Sequence, residues 1–213
     1  MMTAGCVFQL CKTLPEDCRA APRIGGDIRD EDDFLTTETA FAPTATIGDV
    51  PPSQSFVWPE WSRRSFQALV YSDRCSHRLA AVFELVCPVH KEDPATRQAF
   101  VTRCAALLQA GTSVALLDIV TTAPSNLYAE LMRFLDLPAP AVAGGEGDLY
   151  AVVLRPRFFQ DGGGKRVEVT AAKLTVGQPL PRLPLVLEYD TTVLIDLEAA
   201  YERACQDLRI PAS

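Results

Sequence analysis

The chain has 213 residues, of which 48% are hydrophobic and 22% are charged, and its formal net charge is −7. A chain of this size buries about 70% of its unfolded surface, and its acidic balance argues against a protein that coats nucleic acid through phosphate contacts. The longest apolar runs, Leu79–Phe83 and Val114–Leu117, are far shorter than the roughly 20 residues that span a bilayer. With no signal-peptide pattern at the start, we expect a cytoplasmic protein without membrane contact.

The seven cysteines predict free thiols rather than a zinc site or a disulfide framework. Their number is odd, and no pair has the C-x-x-C spacing of a typical metal or redox motif. Cys87 and Cys104 lie in apolar runs and are predicted to be small core residues. Scattered free thiols also fit a reducing compartment.

The first 60 residues are expected to form a helix remnant followed by an irregular arm. Residues 3–13 have the pattern of a helix that ends before Leu14-Pro15. Residues 25–50 contain an acidic cluster, Thr-rich sequence and few large apolar residues, which favours a loop or partial disorder. Pro51, Pro52 and Pro59 then mark a linker or an edge strand. We expect the α/β core to cover residues 61–213.

A strand, a helix and a second strand are predicted at the start of this core. Ser65–Tyr71 alternates as a strand, and Arg78–Val86 is apolar enough to be a buried strand. Asp93-Pro94 is a strong helix start, and Gly111 is a good C-cap for a helix that runs to about Ala110. Thr112–Val120 is the next buried strand. Such a crossover most often joins two parallel strands.

The remaining elements complete a mixed sheet flanked by helices. We predict two helices, two strands of a hairpin and an extended Pro-rich segment. They are the helix Ser125–Leu137, the strands Leu149–Phe158 and Arg166–Leu174 joined at Asp161–Lys165, the extended segment Leu180–Leu187 and the helix Leu197–Leu208 capped by Asp196. The expected fold class is therefore α/β (α+β), with a mixed central β-sheet.

Glu84 is the strongest candidate for chemistry, because it lies inside a strand that otherwise has the pattern of a buried one. A buried carboxylate needs a hydrogen-bonded partner or a metal ion. Two interpretations stay open at this point. Glu84 is either a functional carboxylate or a structural one, paired with an Arg or Lys or lying at the wet end of its strand.

The stretch Arg78–Glu130 carries a family resemblance. It includes Leu-Ala-Ala-Val-Phe-Glu-Leu-Val-Cys-Pro-Val-His-Lys at positions 79–91, then a predicted helix and Gly111, and then Asp118-Ile-Val. This pattern resembles a bacterial domain family of unknown function whose core is Glu-x-x-Ser-Pro-x-x-Lys, a helix, and Gly followed by an Asp-containing strand. That family is similar to the Uma-type endonucleases of the PD-(D/E)XK superfamily, which implies a restriction-endonuclease-like core.

The resemblance implies a metal-dependent phosphodiesterase or nuclease, with a degenerate site as the expected state. Glu84 takes the role of catalytic and metal-binding carboxylate, and Lys91 takes the role of catalytic lysine. The acidic metal ligand from an earlier strand would be Glu31 or Asp33. Mg²⁺, with Mn²⁺ as a substitute, would neutralise charge on the scissile phosphate of a nucleic acid held in a local cleft.

A non-catalytic interaction module or subunit on the same scaffold is the alternative function. Cys87 stands at the family's Ser position, and the family's first helix is expected to precede Met1. Asp118 is expected either to lie at the same sheet edge as Glu84 or to cap the loop before Ser125. His90 is expected either to assist the site or to lie on a loop surface. A partner subunit would supply the missing helix, which an exposed apolar groove beside the central sheet would indicate. An open sheet edge also favours a homodimer. Convergence of Glu84, Lys91 and another acid would favour the nuclease, whereas an arginine partner for Glu84 would favour the module.

Overall fold

The computed structural model describes residues 2–25, 65–72, 78–158, 165–187 and 191–210. Within these ranges the chain forms four α-helices and eight β-strands. The helices are α1 (Met2–Thr13), α2 (Pro94–Gln109), α3 (Leu127–Phe134) and α4 (Leu197–Asp207). The strands are β1 (Cys18–Gly25), β2 (Ser65–Ser72), β3 (Arg78–Leu85), β4 (Ser113–Asp118), β5 (Leu149–Phe158), β6 (Lys165–Leu174), β7 (Arg182–Val186) and β8 (Thr192–Asp196).

Six of these strands form one mixed sheet in the order β1-β2-β3-β4-β5-β6. Strands β3 and β4, which α2 connects, are parallel, and every other neighbouring pair in the sheet is antiparallel. Strands β7 and β8 form a separate antiparallel pair. The predicted mixed sheet flanked by helices is thus confirmed, as is the parallel pair expected from the crossover.

The sheet separates two apolar layers because side chains alternate between its faces. One face carries Ala68, Phe83 and Val153, and it packs against α1, α4 and the β7–β8 pair. The opposite face carries Val82 and Val152, and it packs against α2 and α3. Helix α1 and strand β1 belong to the predicted N-terminal arm, yet both contribute side chains to the first layer.

The ends of α2 follow from its capping residues, as predicted. Asp93 accepts a hydrogen bond from the Thr96 backbone N–H at 2.9 Å, and Pro94 occupies the first helical position. Gly111 has a φ of 85°, the left-handed conformation that commonly ends a helix. Local chemistry therefore sets both ends of the helix that crosses between the parallel strands.

Several boundaries differ from the sequence-based predictions. Strands β1 and β8 were not assigned as strands from composition, since β1 contains Pro22 and two arginines and β8 has only five residues. Helix α3 is shorter than the predicted Ser125–Leu137 because Asn126 caps its start and Asp136, with a φ of 55°, ends it. The predicted turn at Asp161–Lys165 lies mostly outside the described residues, although the antiparallel pairing of β5 with β6 confirms the hairpin.

Asn126 connects α3 to the loop that precedes β5, and its loss should be costly. Its side-chain oxygen accepts from the Ala129 N–H, and its amide donates to the carbonyls of Ala143 and Gly145, all at 2.9 Å. We expect Asn126→Ala to lower the free energy of unfolding by about 2–3 kcal/mol, because it removes a helix cap and leaves a buried carbonyl without a donor. Urea titration followed by circular dichroism measures this loss. Asn126→Ser keeps a side-chain oxygen that can cap the helix and should lose less; an equal loss would show that the cap contributes nothing.

Of the described helices, none is long and apolar enough to cross a membrane. Glu31 and Asp33, the acidic ligands that the resemblance implies, lie outside the described residues.

Candidate functional site

The candidate site lies on the parallel pair of strands, on the sheet face that α2 and α3 cover. Glu84 is opposite Leu116 in the register of β3 with β4, and Asp118 follows two residues later on the same face. Gln67 of β2 is opposite Glu84, and Tyr150 of β5 is opposite Asp118. Four polar side chains therefore extend across four neighbouring strands beneath the helices. We call Gln67, Glu84, Asp118 and Tyr150 the polar row.

Glu84 is fully buried and is held by two donors. The Gln67 side-chain amide donates to Glu84 Oε1 at 2.7 Å. The terminal nitrogen Nη2 of Arg103, a residue of α2, lies 3.1 Å from Oε1 and 3.2 Å from Oε2. Both carboxylate oxygens are thus occupied within the fold, as a buried carboxylate requires.

Two opposing effects set the pKa of Glu84: burial favours the neutral carboxyl, and neighbouring polar groups favour the charged form. Burial raises the pKa of the Glu84 carboxyl above its ordinary value of 4.5. The nearby charge of Arg103, the Gln67 hydrogen bond and the charge of Arg23 act in the opposite direction. Burial has the larger effect, so the pKa of Glu84 stays raised although these neighbours oppose the rise.

Lys91 forms a second buried ion pair, separate from that of Glu84. Its Nζ lies 2.7 Å from Asp118 Oδ2, and both side chains are at most 1% exposed. Lys91 Nζ also donates to the Ala123 carbonyl at 3.4 Å, and Asp118 Oδ1 accepts from the Val120 N–H at 3.0 Å. The short 3₁₀ turn Pro88–Lys91 carries the lysine back under the helices, to the carboxyl end of β4.

Tyr150 completes the surroundings of Asp118. It lies opposite Asp118 in the register of β4 with β5, and its hydroxyl accepts from the Tyr128 backbone N–H at 3.1 Å. Burial raises the pKa of Asp118, and the hydrogen bonds from Lys91 and from the Val120 N–H oppose that rise. Burial, followed by the neighbouring charge of Asp118, raises the pKa of Tyr150 well above its ordinary range. The tyrosine therefore stays neutral beside this carboxylate.

His90 and Cys87 are buried beside the site, and both side chains are uncharged at neutral pH. His90 Nδ1 accepts from the Cys87 N–H at 3.1 Å, and its ring packs 4.7 Å from that of Phe100. Burial, with a smaller effect of Arg103, lowers the pKa of His90 to about 3. Burial raises the pKa of Cys87 to about 11. The interpretation of His90 as a residue on a loop surface is wrong, because the 3₁₀ turn folds it into the core.

The described residues do not fit a Mg²⁺ site. Mg²⁺ prefers carboxylate and water oxygens, but Glu84 faces an amide from β2 and a guanidinium from α2. Among the described ranges, no three His, Cys, Asp or Glu side chains are grouped in a way that could hold a metal ion. Glu84 and Lys91 do lie on the same covered side of the sheet, but each is paired with a different partner.

An apolar cleft of about 350 Å³ adjoins the site at the carboxyl ends of β3 and β4. Val86 and Pro88 line it from the chain after β3, Ile119 and Thr121 line it from the chain after β4, and Phe66 lines it from β2. Ligands of α/β proteins commonly bind at this end of parallel strands. The lining offers apolar contact rather than ionic groups.

Some of the polar row could be predicted from the sequence and some could not. Glu84 and Asp118 were identified as polar residues in apolar strands, but the sequence did not identify Arg103 as the partner of Glu84. Gln67 and Tyr150 were missed. Gln67 had a signal, since it is the polar residue in the alternating strand Ser65–Tyr71, whereas the hydroxyl of Tyr150 was hidden in an apolar run.

Comparisons with protein-family models, with curated proteins and with solved structures give no match for this chain.

Proposed function

We propose that this protein is a non-catalytic protein-interaction module built on a nuclease-like scaffold. One observation carries the proposal: the two charged residues expected to perform catalysis are each neutralised inside the fold. Glu84 is paired with Arg103, and Lys91 is paired with Asp118. A catalytic carboxylate has to offer oxygens to a metal or a substrate, and here both oxygens already accept hydrogen bonds from the protein.

The scaffold part of the proposal draws support from the fold. The sheet is mixed, α1 covers one face, and α2 crosses the other face between the parallel strands β3 and β4. Glu84 lies near the carboxyl end of β3, the end from which the chain continues towards α2. A cytoplasmic location is part of the same proposal, and the unbridged thiols of Cys6, Cys87 and Cys104 support it.

Calorimetric titration of Mn²⁺ into the whole protein tests the proposal. Mn²⁺ is a tolerant substitute for Mg²⁺, and the whole chain includes Glu31 and Asp33. We expect no binding that depends on Glu84, because Arg103 would have to be displaced from the carboxylate. The variants are Glu84→Gln, which preserves shape, and the control Glu130→Gln, which removes a carboxylate from the partly exposed Arg97–Glu130 pair.

A metal-dependent phosphodiesterase is the second candidate. It is favoured by the position of Glu84 and Asp118 on the same face of the sheet, where Lys91 Nζ lies 2.7 Å from Asp118 Oδ2. Mn²⁺ binding that is lost in Glu84→Gln and retained in Glu130→Gln would overturn the module proposal. Cleavage of DNA or RNA by the wild-type protein with Mn²⁺, absent in Glu84→Gln, would then establish the nuclease.

A further inference from the structure

The apolar cleft at the carboxyl ends of β3 and β4 has two walls, and each belongs to a different connection of the chain. The segment that leaves β3 forms the first wall with Val86, Cys87 and Pro88, and the segment that leaves β4 forms the second wall with residues 119–122. Phe66 of β2 adds an aromatic ring to the lining. The parallel pairing of β3 with β4 brings both connections to one edge of the sheet and so creates the cleft.

Lys91 connects the two walls. It ends the 3₁₀ turn that begins at Pro88 in the first wall. Its Nζ lies 2.7 Å from Asp118 Oδ2 and donates to the Ala123 carbonyl at 3.4 Å, and these two residues directly precede and follow the second wall. Asp118 Oδ1 also accepts from the Val120 N–H inside that wall, at 3.0 Å. The cleft is therefore preformed, which lowers the entropic cost of ordering its walls when a ligand binds.

The dimensions of the cleft fit a small molecule. Its volume of about 350 Å³ lies within the range of roughly 300–1,000 Å³ that is typical of ligand pockets. One turn of an α-helix, about 10 Å wide and about 5.4 Å long, already exceeds this volume. Ile119 lines the cleft but is 41% exposed, so it offers apolar surface that a ligand would remove from water.

The lining of the cleft is uncharged. It consists of apolar side chains, the thiol of Cys87 and the hydroxyls of Thr121 and Thr122. The thiol is neutral because burial raises its pKa to about 11, and the exposed threonines can each donate or accept a hydrogen bond. Lys91 and Asp118, the charged residues that connect the walls, are buried and paired with each other. A charged ligand group would therefore lose hydration in the cleft without gaining a counter-charge.

We infer that this cleft binds a small, uncharged and largely apolar molecule, an alkyl or aromatic compound with one hydrogen-bonding group. Its apolar body packs against Phe66, Val86 and Ile119, and its polar group meets the hydroxyl of Thr121 or Thr122. Burial of the apolar body supplies most of the binding free energy, and the neutral lining selects against charged analogues. The inference goes beyond the proposed interaction function and does not depend on it, because no residue of the polar row lines the cleft.

Fluorescence of N-phenyl-1-naphthylamine, an uncharged dye that brightens in apolar surroundings, tests this inference on the whole protein. Octanol, octanoate and octylamine are the competitors, because they share one alkyl chain and differ in charge at neutral pH. Ile119→Asp adds a charge to the cleft, and Ile119→Trp fills its space. Leu194→Asp and Leu194→Trp are the matched controls, because Leu194 is 53% exposed and belongs to β8, which packs on the opposite face of the sheet. Urea unfolding of each variant shows whether it is folded.

We expect the dye to bind the wild-type protein and both Leu194 variants equally, and to bind both Ile119 variants at least about tenfold more weakly. Octanol should displace the dye at a concentration at least about tenfold lower than octanoate or octylamine does. Absence of dye binding, or equal losses at positions 119 and 194, would overturn the inference. Equal displacement by all three competitors would overturn the neutral ligand class. Mn²⁺ binding that depends on Glu84 would overturn the proposed function and leave this inference unchanged.

Discussion

Replacing Lys91 with Met should destabilise the protein more than any other single change at the site, by about 3–5 kcal/mol. Methionine has a similar length to lysine and replaces its aliphatic stem, but it has no ammonium group. Asp118, which is fully buried, therefore loses the cation that lies 2.7 Å from its Oδ2 atom. An unpaired buried carboxylate is one of the few causes of so large a loss. Urea unfolding at neutral pH, followed by circular dichroism, measures it.

A double variant separates the charge effect from a packing effect. Lys91→Met combined with Asp118→Asn should recover much of the stability, because the asparagine oxygen still accepts from the Val120 N–H and no charge remains buried. Lys173→Met is the matched control, since Lys173 forms an exposed ion pair with Asp148 and its loss should change little. If Lys91→Met and Lys173→Met lost equal stability, the buried pair would not have the importance assigned to it.

Glu84→Ala should lower the free energy of unfolding by about 3 kcal/mol, and Glu84→Gln by only about 1 kcal/mol. Alanine leaves the Gln67 amide and the Arg103 guanidinium without an acceptor and creates a cavity beneath α2. Glutamine retains an oxygen at the position of Oε1, which both donors reach in the wild-type protein. Equal losses for the two variants would contradict this account of the pair.

The pH dependence of stability gives an independent check on Glu84. Its pKa is raised in the folded state, so the folded protein holds this proton more tightly than the unfolded chain does. The stability that results is fully present below the ordinary value of 4.5 and is lost as pH rises through the folded-state pKa. Relative to Glu84→Gln, the wild-type protein should therefore lose stability as pH increases above 4.5. A constant difference across this range would show that the carboxyl is not perturbed.

Local signals in the sequence were sufficient for most of the elements. Asp93-Pro94 and Gly111 predicted the ends of α2, and the apolar run Arg78–Val86 predicted β3. Strand β8 was missed, because Thr192–Asp196 is short and its pairing with β7 is a contact between separate parts of the chain. Such pairings depend on tertiary structure more than on propensity.

The sequence by itself indicated two of the buried polar groups, Glu84 and Asp118, and only the tertiary structure decided their partners. A carboxylate inside an apolar strand requires a counter-charge, so Glu84 and Asp118 were identifiable without coordinates. Arg103 is 19 residues from Glu84, and Lys91 is 27 residues from Asp118, so no local periodicity connects the members of either pair. The register of β3 with β4 and the path of the 3₁₀ turn bring these groups together. The physical reason is that hydrophobic pattern specifies burial along the chain, whereas ion pairing depends on which elements pack against each other.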